Sequence, residues 1–334
     1  MQNLLTVENL SVIFKTEQGT VQAVRNVSFK VKQGEILGVV GESGSGKSVS
    51  MYSLMGLLAE NAQITCNRME FDGADINPCS FDDKKAYSAV MEDIRGRRMS
   101  MVFQDPMTFL NPTMKIGKQI CEPIYNHTKL SKEEAQQRAL ELMTLVGIPS
   151  PETRINQYPF EFSGGMRQRI IIAIALANNP QLIIADEPTT ALDVTIQAQV
   201  LDLIKYVKEK TDSSVILITH DLGVVASLCD RINIMYGGKI VETGTDQEIF
   251  YQPNHPYTKN LLSCICNPEE DEAELIPIAG SPPDLLMPPK GCPFVDRCTE
   301  AMKICKLQMP EYTILSQTHN SACWLNEWER RREK

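Results

Sequence analysis

The stretch Ile36–Leu58, ILGVVGESGSGKSVSMYSLMGLL, decides the fold. An apolar run leads into a glycine-rich turn, and the turn opens onto a helical pattern. Gly41–Ser48, GESGSGKS, has the spacing G-x-x-x-x-G-K-[ST] in the context that gives it meaning, after a strand and before a helix. The glycines let backbone N–H groups turn toward phosphate oxygens, Lys47 neutralises their charge, and Ser48 can ligate Mg²⁺. Such a loop needs a parallel sheet around it.

The neighbouring sequence supplies one. QLIIADEP (Gln181–Pro188) and SSVILITHD (Ser213–Asp221) are two more short apolar strands, separated by a helical stretch from Thr195 to Lys210. Buried strands alternating with helices predict an α/β domain with a largely parallel sheet. Upstream, alternating apolar residues broken by Gly19 and Gly34 predict short antiparallel strands. From Asp105 to about Ala177 helix-forming segments dominate, among them SKEEAQQRALELMTLVG, with Ser131 and Glu134 spaced as a capping box. That region reads as a helical insertion. After Phe250 the composition turns to proline, with HPYT at His255, an acidic linker ICNPEEDEAEL and a cysteine-bearing segment. It reads as an appended region and not as a continuation of the sheet.

Bulk composition narrows the function classes. Net charge of −9 and a pI near 5.1 argue against a protein that grips nucleic acid, which needs clustered positive charge. The beginning, MQNLLTVENLSVIF, has no pattern of a signal peptide, and the longest apolar run, Ile170–Ala177, is eight residues, far short of a bilayer span. A cytosolic chain is expected, with its ten cysteines mostly thiols.

Further motifs carry chemistry. Asp186 and Glu187 end an apolar strand, where ligands of open α/β sheets gather. With a phosphate loop, Asp186 is the expected Mg²⁺ partner and Glu187 the group that polarises an attacking water. Phe162–Arg169, FSGGMRQR, opens a helix with two glycines, Gln104 follows the strand of MVFQDP, and His220 ends VILITH.

GESGSGKS, MVFQDP, FSGGM, LIIADEP, TALD and LITHD, in this order, make the chain resemble the ATP-binding subunits of ABC transporters over roughly its first 250 residues. The resemblance implies a P-loop NTPase (RecA-like) fold with an N-terminal antiparallel β subdomain, a helical signature subdomain and a Cys-rich C-terminal extension. It implies an ATPase domain over 1–250 and an extension over 251–334. It gives Gly41, Ser43, Gly44, Gly46, Lys47, Ser48 and Val49 to the phosphates, and Gln104 to Mg²⁺ and the γ-phosphate side. Glu187 becomes the general base and His220 the γ-phosphate holder. Ser163, Gly164 and Gly165 become the signature loop that closes over a partner's ATP, and Asp193 belongs to the loop between the two halves. Phe14 is either the aromatic that stacks on adenine or an ordinary strand aromatic. Phe162 and Met166 depart from the commonest LSGGQ form of the signature.

FSGGMRQR, HPYT and the GCPF-x-x-RC tail narrow the resemblance to the oligopeptide/dipeptide importer ATPases, which also serve nickel and a few other small solutes. The implied partners are a second ATPase subunit, two transmembrane permease subunits and an external solute-binding protein, on the cytoplasmic face of the membrane, with no nucleic acid. Cys292, Cys298, Cys305 and Cys323 are spaced C-x₅-C-x₆-C-x₁₇-C. Four thiolates satisfy a [4Fe–4S] cluster or a tetrahedral Zn²⁺, and the wide gaps suit the larger group. Unligated thiols are the third possibility. The resemblance associates this tail with a [4Fe–4S] cluster. His319, four residues before Cys323, is a substitute ligand or a surface histidine. Cys66, Cys79, Cys121, Cys229, Cys264 and Cys266 read as ordinary packing.

Overall fold

A computed structural model describes residues 2–104, 109–189, 193–264 and 278–327. The acidic linker, Cys266, Asp105 and the first three residues of TALD lie outside the described residues. The strands are β1 (Asn3–Thr16), β2 (Gly19–Lys32), β3 (Ile36–Val40), β4 (Ala62–Thr65), β5 (Arg68–Phe71), β6 (Ala74–Asp75), β7 (Met99–Val102), β8 (Leu182–Asp186), β9 (Ser214–Thr219), β10 (Arg231–Tyr236), β11 (Lys239–Thr245), β12 (Thr313–Ile314) and β13 (Asn320–Ser321). Two compact units form, one of residues 1–2, 31–36 and 81–218, the other of 3–30, 37–80 and 219–334.

In the first unit β7, β8 and β9 run parallel, with Met99 opposite Leu182 and Leu182 opposite Ser214. Every residue of the three strands is buried, which is why their sequences are apolar runs without alternation. Helices Ile116–His127, Lys132–Leu145 and Gly164–Ala175 occupy the predicted helical insertion. Ser131 accepts from the Glu134 N–H at 3.2 Å, and Glu134 accepts from the Ser131 N–H at 2.7 Å. The capping box therefore sets where that helix starts.

In the second unit β1 lies between β2 and β5 in an antiparallel sheet, with β4 also paired to it. These first strands are fourteen residues each, not the short strands expected. The glycines used as boundaries fall outside them or at their first residue, so they mark turns and not interruptions. β3 pairs with β10 in parallel, and β10 with β11 antiparallel.

The tail corrects a second expectation. β13 pairs with β11 through Glu242–Ser321 and Thr243–Asn320, and β12 pairs with β13. The C-terminal region does extend the sheet, covering an edge that would otherwise expose unpaired backbone groups. Glu248 anchors it by accepting from Ser316 and from Thr318 Oγ1 (2.9 Å), while also closing a capping box with Thr245. Burial alone would raise this carboxyl, but the hydrogen bonds from Ser316, Thr245 and Thr318 outweigh it and hold it at about 2. A folded pKa below the unfolded value of 4.5 contributes stability that is present above pH 4.5 and lost as pH falls toward 2. Glu248→Gln should thus lower the melting temperature at neutral pH and flatten its decline between pH 4.5 and 2. Parallel decline in both proteins would show that Glu248 does not anchor the tail.

Candidate functional site

Gly41–Ser48 links the C-terminal end of β3 to helix Lys47–Met55. Gly46 caps that helix in the left-handed region (φ 96°), and a Cβ there would lie 2.5 Å from the Ala23 carbonyl oxygen. Only glycine meets both demands. Lys47 is buried and donates from Nζ to the carbonyl oxygens of Gly41 (2.7 Å) and Glu42 (3.0 Å). Ser45 Oγ is buried without a hydrogen-bond partner, and Ser43 and Gly44 are exposed at the tip. A cationic amine, a helix N-terminus and an unsatisfied hydroxyl in one loop fit a phosphate chain. Ser48 and Val49 begin the helix and are half-buried; Phe14 is half-buried on β1, opposite Ala62. His220 follows β9, exposed, just before Asp221 caps the next helix.

The first unit brings together Gln104, Asp186 and Glu187. Asp186 is fully buried at the end of β8. Glu187 next to it has φ 45°, a left-handed conformation uncommon for a residue with a side chain, and its N–H donates to Ile218 O at 2.9 Å. Gln104 Nε2 donates to Glu187 Oε2 at 3.0 Å. The strained turn and the amide together aim one carboxylate beyond the strand end.

The signature segment lies in the same unit. Ser163 caps helix Gly164–Ala175 by accepting from the Met166 N–H at 3.3 Å. A Cβ on Gly165 would sit 2.7 Å from Ile196, whereas one on Gly164 meets open space. Gly165 is thus required by packing and Gly164 leaves the helix start uncovered. Asp193 caps helix Val194–Thr211 through the Ile196 N–H at 3.0 Å.

In the second unit, one small cavity is lined by Cys292, Cys298, Cys305 and Cys323 with His255, Glu300 and apolar residues including Val295 and Trp324. Burial pushes the Cys292 and Cys323 thiols up to about 12. Among the described residues, however, no three His, Cys, Asp or Glu side chains are grouped to hold a metal ion. His319 is neither a wall of this cavity nor a surface residue: it is buried, with Nε2 2.7 Å from Glu242 Oε1. Of the scattered cysteines, Cys121 and Cys229 are buried as expected, Cys66 is intermediate, and Cys79 and Cys264 are exposed. Packing does not account for those last two.

Sequence reasoning missed four residues. His255 is buried, its Nδ1 accepting from the Tyr257 N–H (3.1 Å) and its Nε2 4.0 Å from Cys292 Sγ. Glu242, also buried, accepts from the backbone of Asn254 and His255 (2.7 and 3.0 Å). Tyr257 and Arg297 both reach Glu42 of the phosphate loop. The only signal was that HPYT and GCPFVDRC stood out as motifs without an evident task.

Comparison with known proteins places this geometry. Residues 24–190 match the model of the ABC transporter family, and 241–305 that of the oligopeptide/dipeptide transporter C-terminal region. The dipeptide transport ATP-binding protein DppD of Bacillus subtilis is 53% identical over 98% of this chain and 96% of its own length. The oligopeptide transport ATP-binding protein OppD of the same organism is 54% identical over 96% and 88%. Among solved structures, the dimeric ATP-binding cassette MJ0796 bound to ADP and Pi is similar with a TM-score of 0.62 and 28% identity, over 72% of this chain and 98% of that one. CbiO1 from Clostridium perfringens, part of an ABC transporter complex, gives 0.63 and 25%, over 78% and 96%. Half the chain matching one family model, a second model on the tail, and relatives alike from end to end lead to one assignment: the chain belongs to the ABC transporter family, among its ATP-binding proteins that carry the oligopeptide/dipeptide transporter C-terminal region.

Proposed function

We propose that the chain is the ATP-hydrolysing subunit that powers import of dipeptides or oligopeptides through a membrane transporter. The observation that carries this reading is the near-full-length identity with a dipeptide transport ATP-binding protein, which includes the tail. Its partners are a second ATPase subunit, two transmembrane permease subunits and an external solute-binding protein; nucleic acid has no part. It works at the cytoplasmic face of the membrane as a peripheral subunit. Among the described residues no helix is long and apolar enough to cross a bilayer.

Residues 1–250 do the chemistry. Gly41, Ser43, Gly44, Gly46 and Val49 hold the phosphates with their backbone, and Lys47 neutralises their charge. Ser48, Gln104 and Asp186 are the Mg²⁺ partners, the ion supplying charge neutralisation at the phosphates when bound. Glu187 accepts the proton of the attacking water, and His220 fixes the γ-phosphate. Ser163, Gly164 and Gly165, with Asp193, act on the nucleotide of the second ATPase subunit, and Phe14 stacks on adenine.

Residues 251–334 form the extension, and Cys292, Cys298, Cys305 and Cys323 hold a [4Fe–4S] cluster there. Two observations support this: the four thiols share one cavity, and its remaining wall is mostly apolar. The cluster would serve as a structural core for a short segment. Anaerobically purified chain should carry about four iron and four sulfide and be brown, and Cys298→Ser should lose most of both. Colourless protein with about one zinc per chain would refute the cluster.

Transport function is tested by assembling the chain with its membrane subunits in vesicles and adding binding protein. Peptide-loaded binding protein should stimulate ATP hydrolysis. Stimulation by nickel-loaded binding protein alone would replace peptides as the solute, and assembly with nucleic acid would overturn the reading altogether.

A further inference from the structure

Glu42 is the second residue of the phosphate loop and has no role in the mechanism above. Both its backbone and its side chain are held by the region after β11. The Glu42 N–H donates to Tyr257 Oη at 3.0 Å, and Glu42 Oε2 accepts from Arg297 Nη1 at 2.7 Å. The Arg297 side chain is only 6% exposed and that of Glu42 25%, so solvent screens this pair weakly. On its other side, the Glu42 carbonyl oxygen accepts from Lys47 Nζ at 3.0 Å and from the Ser45 N–H at 3.2 Å. One residue, Glu42, thus stands between the C-terminal region and the phosphate lysine.

The holder itself is stiff. Arg297 also donates to Tyr236 Oη (3.0 Å), Ala279 O (2.9 Å) and Ile278 O (2.9 Å). Tyr236, Tyr257 and Phe294 form a block of rings with centroids 4.5 to 5.3 Å apart. Burial pushes the Tyr257 phenol up, so it stays protonated at neutral pH, and its oxygen accepts from the Glu42 N–H.

We propose that Arg297 and Tyr257 are positioning residues for nucleotide binding: they clamp Glu42 and hold the phosphate loop in its anion-binding shape. Two physical effects follow. A glycine-rich loop loses much conformational freedom on binding, and a loop fixed beforehand loses less. Glu42 also places a negative charge inside a site for a polyanion, and Arg297 cancels it where screening is weak. The C-terminal region thereby acts on the nucleotide through the loop without touching it.

This inference rests on the reading of residues 41–48 as the phosphate loop, and calorimetric titration with Mg-ADP tests the two separately. Wild-type chain should bind and Lys47→Ala should not; failure of either result refutes the phosphate-loop reading. Given both, Arg297→Met and Tyr257→Phe are each expected to weaken Mg-ADP binding about tenfold, and to raise KM for ATP more than they lower kcat. Arg297→Lys, which keeps the ion pair, should recover most of the affinity. Wild-type affinity in both variants, with only a lower melting temperature, would overturn the clamp. Where Arg297→Met fails to fold, Tyr257→Phe decides, since it deletes one hydroxyl and keeps the ring packing.

Discussion

Glu187→Gln is expected to leave Mg-ATP binding intact and to slow hydrolysis by about 10² to 10⁴-fold, the range over which a positioned general base acts. The substitution is almost isosteric, and the Gln104 amide, now 3.0 Å from Glu187 Oε2, can still donate to the oxygen of the new side chain. The backbone at 187 keeps its positive φ and its hydrogen bond to Ile218 O, so geometry survives. Only the capacity to take a proton is lost. Holding a non-glycine residue in that conformation costs about 1 to 3 kcal/mol, a cost justified by aiming the side chain and not by packing. Single-turnover hydrolysis alongside nucleotide titration checks the split. A near-normal rate would move the base assignment elsewhere.

Legibility in the sequence followed the length of each pattern. The parallel strands β3, β7, β8 and β9 are buried at every position and mostly apolar because both faces are covered, and a glycine-rich turn or an acidic residue announces where several of them end. The helices of the insertion carry their start signals locally, as Ser131 does. β12 and β13 are two residues each and carry no period that could reveal them. Their pairing depends on β11, some seventy residues earlier, and no local propensity encodes that.

Within the candidate site, the motif residues stood out in the sequence because a phosphate-binding loop requires a fixed spacing. Glu42 did not, since the spacing leaves its position open and its partners lie 215 and 255 residues away. His319 misled for a related reason: a histidine in a polar stretch reads as exposed, while the buried carboxylate that holds it, Glu242, belongs to a distant strand. Gly164 and Gly165 look alike as a pair, yet Ile196 demands glycine only at the second. The first is therefore the one whose bareness can serve a ligand.

Lys47→Ala is the expected counterpart of Glu187→Gln, acting on binding where the other acts on turnover. The ammonium is the cation of the loop, and its two acceptors, the carbonyl oxygens of Gly41 and Glu42, belong to the loop's own backbone. With alanine the polyanion loses its charge-assisted hydrogen bonds and the loop loses the cross-link between its start and its helix. Affinity for Mg-ATP should fall by about 10²-fold or more, since each such bond contributes about 1.5–3 kcal/mol, and hydrolysis should become undetectable. The fold should hold, because Gly46 and helix Lys47–Met55 do not depend on the amine for their backbone conformation. Lys47→Arg should not rescue: the planar fork of a guanidinium does not reproduce a compact ammonium that donates to both the Gly41 and the Glu42 carbonyl oxygens. The two substitutions therefore separate the loop's work from that of the strand-end carboxylate. A folded Lys47→Ala chain that bound Mg-ATP as tightly as wild type would remove the loop from nucleotide binding, and with it the basis on which Glu187 is assigned its water.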